Sequence, residues 1–265
     1  MQRSVIGGAG RNKRRWLGYT RNMTRAAFSV LAILASCAGA CSSTAAPTAP
    51  SAAAMPTLAP PTPAPDPIRA PATASYRVTF QATWAAATHP DDFPSSAHFS
   101  PLVGGTHAAG VTFWREGAFA TEGIKDMAER GLTSTLSAEI ATAIAAGTAG
   151  QVVTGGNIGG SPGLATAEFE VSQSFPLVTL VSMIAPSPDW FVGVSSEPLY
   201  ANNVWVEERR FELVPWDAGT DSGVTFMSPD LVSAPRAPIA RIVTAPLSPG
   251  GRITPLGTFT FTRVH

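Results

Sequence analysis

The chain has 265 residues, 45% hydrophobic and 14% charged, the share of a globular protein with a sizeable core. Its 18 basic and 18 acidic residues cancel formally, but seven of the basic ones (Arg3, Arg11, Lys13, Arg14, Arg15, Arg21 and Arg25) and no acid fall within the first 36 residues. Without that start the remainder carries a charge of −7, an acidic surface that repels phosphate backbones and excludes nucleic-acid binding as a reading.

The cationic start leads into an apolar run, Ala26 to Ala35, too short to span a bilayer as a stable helix. Residues 1–36 therefore read as an export signal. The following Leu34-Ala35-Ser36-Cys37 resembles a bacterial lipobox, which implies lipidation at Cys37. Cys41 after Ala38-Gly39-Ala40 is an alternative, and a plain cleaved signal with two incidental cysteines is another. No cysteine follows position 41, so the exported domain folds without disulfides and relies on core burial. Residues 37–75 are rich in Ala, Pro, Thr and Ser, with too little apolar bulk to offset their ordering entropy. They read as an extended, disordered stalk ahead of a domain at 76–265.

In Tyr76 to Trp84, apolar and polar residues alternate strictly, the period of a half-buried strand. Alternation recurs in Ala167 to Ser172 and in Gly257 to Thr262. The more continuous apolar run Leu177 to Ile184 reads as a strand covered on both faces. Val111 to Arg115, Trp190 to Ser195, Val204 to Leu213 and Ile239 to Ala245 bring the expected total to about eight. One interval differs. Ile124, Met127, Ala128, Leu132, Leu136, Ile140 and Ile144 recur at spacings of three and four. This predicts one or two helices between Gly123 and Ala146, with Gly131 as the break and Gly147 as the C-terminal stop. With a single helical segment, an all-β antiparallel sandwich with a short helical insertion fits better than alternating strand-helix units.

The chain is poor in charge, yet Pro215-Trp216-Asp217-Ala218-Gly219-Thr220-Asp221-Ser222-Gly223 places two acids four residues apart. Its proline and glycines argue for a loop. A third acid, Asp189, follows Pro186-Ser187-Pro188 in a similar setting. Three loop carboxylates suit a hard cation such as Ca2+, which takes six to eight oxygens from carboxylates and main-chain carbonyls. They equally suit solvated turn aspartates.

Four blocks occur in order: Ala97-His98-Phe99-Ser100-Pro101-Leu102-Val103-Gly104-Gly105-Thr106-His107, Phe113-Trp114-Arg115-Glu116-Gly117, Ala185-Pro186-Ser187-Pro188-Asp189-Trp190-Phe191-Val192-Gly193-Val194, and Pro215 to Gly223. Together they resemble the spondin domain, the N-terminal module of F-spondin and mindin, from Tyr76 to the C terminus. The resemblance implies a C2-like antiparallel β-sandwich that binds Ca2+. Carried onto this sequence, it implies Asp189, Asp217 and Asp221 as metal ligands, completed by main-chain carbonyls. It also implies an extracellular recognition or adhesion module and no enzyme. The partner would be a surface or matrix protein or a glycan, and the thrombospondin-type repeats of the animal proteins are lacking.

Two enzymatic readings compete with it. His89, His98 and His107 are evenly spaced and could hold a catalytic metal, but they fall in Pro-, Ser- and Gly-rich loops without the close pairing of a zinc site. Asp221-Ser222-Gly223 is similar to the surroundings of some protease nucleophiles, with no Gly-x-Ser-x-Gly elbow beside it. Trp84, Trp114, Trp190, Trp205 and Trp216 could line a binding surface, although Trp190 and Trp216 flank expected ligands and suit a wall that holds the carboxylates. Glu207-Glu208-Arg209-Arg210 reads as a solvated strand face.

Overall fold

A computed structural model describes residues 71–264 of the chain. The expected export signal, Cys37 and Cys41, and nearly all of the expected stalk lie outside the described residues. Strand β1 (Thr73–Ala82) is followed by β2 (His98–Phe99), β3 (Val103–His107), helices α1 (Glu122–Arg130) and α2 (Ser134–Ala145), and β4 (Ala149–Thr154). Then come β5 (Gly163–Ser172), β6 (Leu177–Ala185), β7 (Trp190–Pro198), β8 (Tyr200–Ala201) and β9 (Val204–Trp205). The chain ends with β10 (Glu208–Leu213), β11 (Trp216–Asp217), β12 (Ala240–Arg241) and β13 (Gly257–Val264). Every pairing is antiparallel.

One sheet runs β10-β13-β1-β5 and the other β12-β11-β7-β6-β3-β4, with β2 added to β6 and β8 and β9 forming a small ribbon. The inward residues of the two sheets form one core, with Tyr76, Val78 and Phe80 from β1 facing Val178, Leu180 and Ile184 from β6. Phe80 locks it edge-on against Phe259 at 5.1 Å and Phe99 at 4.8 Å. A second core lies on the other face of the larger sheet. There Val181 and Met183 of β6 meet Ile124 and Met127 of α1 and Leu136 and Ile140 of α2. β6 is thus buried on both faces, which is why its sequence is continuously apolar. Among the described residues, all members of both cores come from residues 74–261, and the fragment 71–265 contains them all.

The helical period is realised as two helices. Thr121 Oγ1 accepts from the Ile124 amide to cap α1, and Gly131, at φ 66°, ends it in the left-handed conformation. Gly147, at φ 71°, follows α2. No described helix is long and apolar enough to cross a membrane.

Eight strands have five or more residues, but they are not all the expected eight. Val111 to Arg115 is not a strand: Phe113 and Trp114 are buried in the helix-side core while their main chain joins no ladder. Only Ala240–Arg241 of the segment Ile239 to Ala245 pairs, and Val204 to Leu213 is split into β9 and β10. β3 and β4 were not expected. His98, on β2, and His107, on β3, accordingly lie on strands rather than in loops; for His107 the cause of the misreading is the glycine content of β3.

Candidate metal centre

The three aspartates come from two places that the larger sheet joins. β11 pairs with β7 so that Asp217 faces Trp190, the residue after Asp189. The turn before β7 is held by Ser187, whose hydroxyl donates to Ile184 O at 2.5 Å and accepts from the Trp190 amide at 3.1 Å. The Ala218 amide donates to Asp189 O, tying the second loop to the first.

Asp189 is wholly buried. Its Oδ2 accepts from the Thr220 amide at 2.7 Å, the Asp221 amide at 3.0 Å and the Thr220 hydroxyl at 3.2 Å. Its Oδ1 is buried with no hydrogen-bond partner. Asp217 Oδ1 accepts from the Gly219 amide at 2.7 Å. Asp221 uses both oxygens as a clamp, Oδ1 on the Gly223 amide at 2.7 Å and Oδ2 on the Leu231 amide at 2.8 Å. Gly219 sits at φ 75°, and a Cβ there would lie 2.1 Å from Ala237 O, so only glycine lets this loop close against the segment ahead of β12.

Among the described residues, no three His, Cys, Asp or Glu side chains stand as a ready-made metal cluster, these three included. Asp217 and Asp221 make the tight Asx-type turns that the plainer reading foresaw. Asp189 departs from that reading, because a turn aspartate keeps both oxygens solvated or bonded and Asp189 Oδ1 is neither. Burial, reinforced by the charge of Asp217, pushes the Asp189 carboxyl up to about 6, against the pull of its Asp221 and Thr220 donors. Burial also raises Asp217; the Gly219 amide opposes this and the charge of Asp221 adds to it.

A raised folded-state pKa means that the folded protein holds this proton more tightly than the unfolded chain. That contribution is fully present below the ordinary aspartate pKa and is lost as pH rises through about 6. The rise from 3.8 to about 6 corresponds to about 3 kcal/mol. In chelator, the fragment 71–265 should therefore lose melting temperature between pH 4 and pH 7, and Asp189→Asn should flatten the decline. An equal decline in both proteins would contradict the assignment.

The two tryptophans that flank the acids in sequence, Trp190 and Trp216, are both buried. Trp190 packs edge-on to Phe226 at 5.4 Å, while Trp216 meets Trp114 at 5.2 Å and carries the Arg241 guanidinium on its ring. A cavity of about 330 Å3 bounded by Trp190, Asp217, Gly223 and Ile242 opens beside them.

The histidines stand apart from the acids. His107 is buried between Thr179 Oγ1 at 2.8 Å and Ala108 O at 3.0 Å, and His89 bridges Thr88 Oγ1 and Thr254 O. Burial lowers the pKa of both. His98 Nδ1 meets Ser96 O at 2.7 Å. The Ser222 hydroxyl donates to Leu231 O, and no described hydrogen bond joins it to a histidine.

Residues 74–250 match the spondin N-terminal domain family, Spondin_N. The chain belongs to the spondin family. It is 36% identical to mouse Spondin-1 over 203 residues, which covers 71% of this chain and 25% of that protein. It is 37% identical to human Spondin-2 over 175 residues, 63% of this chain and 52% of the relative, and 33% identical to rat Spondin-2 over 204 residues, 71% and 61%. The match thus spans about a quarter of the length of the Spondin-1 relatives. All three aspartates fall inside the matched region, which takes in the larger sheet and stops short of β13 of the smaller one.

Proposed function

We propose that this spondin-domain protein is an exported, calcium-binding recognition or adhesion module, lipidated at Cys37, that engages a surface or matrix protein or a glycan and catalyses no reaction. The observation that supports the calcium reading is Asp189 Oδ1, a buried carboxylate oxygen without a partner, on a residue that feels the charge of Asp217, which in turn feels that of Asp221. An unpaired buried charge is costly, and a divalent cation is the group that compensates it when carbonyls and carboxylates are the ligands at hand. Asp189, Asp217 and Asp221 would hold the ion, with main-chain carbonyls of the same loops completing its shell. Bound calcium would supply positive charge and tie the 189 and 217–221 loops together, which suits a binding surface that must keep its shape.

Calcium at ~100 times its dissociation constant should stabilise the fragment 71–265 by about 2.7 kcal/mol, read as a higher melting temperature than in chelator. Asp217→Ala should abolish that difference. A wild-type protein with the same melting temperature in calcium and in chelator would overturn the calcium reading and leave the family assignment intact.

A further inference from the structure

The larger sheet is left open where the chain changes sheets. β11 pairs with β7 only through Trp190 and Phe191, because the residues before it, Val214 and Pro215, lead back into β10 of the smaller sheet. Extending that register would set Gly193 opposite Val214, yet no main-chain hydrogen bond joins them among the described residues. Along an antiparallel strand both main-chain groups of a residue point to one side, and the side alternates. Asp189 O accepts from the Ala218 amide, so the groups of Asp189, Phe191 and Gly193 turn toward β11, and those of Gly193 find no strand there.

A cleft of about 640 Å3 lies along this edge, within the size range of binding sites. The consecutive β7 residues from Gly193 to Glu197 line it, between Trp114 and Arg115 on the side of the helices and Phe211 and Glu212 of β10. Here β7 is bulged against β6, and Ser196 takes φ 58°, a conformation that costs energy for a residue other than glycine and clusters at binding sites. Thr179 Oγ1 holds the Ser196 amide at 3.0 Å. The bulge limits the regular edge to the stretch before it, so the edge is short. The charges of the cleft are not all matched. Arg241 pairs with Glu116 and Arg209 with Glu197, both at 3.6 Å, but Arg115 on one wall and Glu212 on the other join no ion pair among the described residues.

On the recognition reading given above, on which this rests, we infer that the cleft takes a short extended peptide segment of a partner protein, added to β7 as a strand through the N–H and C=O of Gly193. An added strand sends successive side chains to opposite faces. An acidic side chain would then meet Arg115 while the basic one next to it meets Glu212, so the fitting segment carries adjacent charges of opposite sign. The aromatic residues argue against a glycan as occupant. Stacking a sugar needs an exposed ring face. Trp114 and Trp216 are buried and packed edge-on against each other, Arg241 covers Trp216, and Arg209 covers Phe211. What the cleft offers is main chain and charge. None of the three aspartates lines it, so peptide binding does not depend on calcium.

The test is an NMR titration of the isotope-labelled fragment 71–265 with the acetylated hexapeptide amide Thr-Val-Glu-Lys-Val-Thr at millimolar excess. The Gly193 amide should shift and gain at least about tenfold protection from hydrogen exchange. The same peptide N-methylated along both edges, which keeps its side chains and loses its donors, should bind at least about tenfold more weakly. Versions with two glutamates or two lysines at the centre should bind about threefold more weakly, and Arg115→Glu, an exposed change, should move the preference to the two lysines. A Gly193 amide that stays in place with all three peptides, or an N-methylated peptide that binds equally, would overturn the inference. So would a shift at Gly193 with cellotetraose and none with the peptides, which would assign the cleft to a glycan. A failed peptide titration in a protein that still binds calcium removes this cleft and leaves the recognition reading to another surface.

Discussion

Replacing Asp189 by alanine is expected to destabilise the calcium-loaded fragment by about 3–5 kcal/mol, as removal of one member of a buried, compensated charge pair does. The loss has two parts. Two buried amides, of Thr220 and Asp221, and the Thr220 hydroxyl lose their acceptor, and the proposed calcium ion would lose the most buried of its proposed ligands. Asp189→Asn separates them, because its carbonyl oxygen can still accept from the two amides while its charge is gone. In chelator at pH 7.5 the asparagine variant should be about 1–3 kcal/mol more stable than wild type, since it relieves the unpaired buried charge. In calcium the order should reverse. Urea unfolding under the two conditions reads both signs, and an asparagine variant less stable than wild type in chelator would show that burial of this charge is not the cost argued here.

The second large effect is expected at Gly104. β3 lies inside the larger sheet with β6 on one side and β4 on the other. A Cβ at Gly104 would fall 1.9 Å from Thr179 O and 2.8 Å from Leu180 Cα, main-chain atoms of β6 that cannot rotate away. Gly104→Ala should therefore push β6 from β3 and lower stability by at least about 3 kcal/mol, toward the upper end of overpacking effects. Gly110→Ala is the control, as nothing lies within 4 Å of its Cβ and it should change stability by less than about 0.5 kcal/mol. Similar melting temperatures for the two variants would contradict the packing argument.

These two positions also mark where the sequence could and could not be read. β1, β5, β6 and β13 were legible because each puts its apolar residues on the face or faces it buries, so periodicity and burial agree. The helices were legible for the same reason, and their stops because Gly131 and Gly147 take a conformation that glycine favours. β3 was not, because Gly104 and Gly105 weaken a strand pattern locally and are required only by the close approach of neighbouring chain segments distant in sequence. Val111 to Arg115 failed the other way. Its side chains Phe113 and Trp114 are as buried as a strand's, but burial of side chains does not tell whether the main chain has a ladder to join.

At the acids, the residue types and the loop setting were legible from local spacing. What turns them from turn aspartates into a candidate metal centre is the complete burial of Asp189 and its unpartnered oxygen, and both depend on the β7–β11 pairing across nearly thirty residues. The loop that follows them, residues 220–233, was not noticed in the sequence. Its apolar residues share no period, and only the folded loop shows that Phe226 turns inward while Val224, Met227, Leu231 and Val232 turn outward.

Calorimetric titration of calcium into the metal-free fragment 71–265 at pH 7.5, for wild type and Asp189→Asn, tests the central claim most directly. The predicted result is one calcium bound per wild-type chain and none in the variant, with the wild-type affinity falling as pH is lowered through about 6. No heat of binding to wild type, or equal binding by Asp189→Asn, would contradict the assignment of these aspartates as a calcium site.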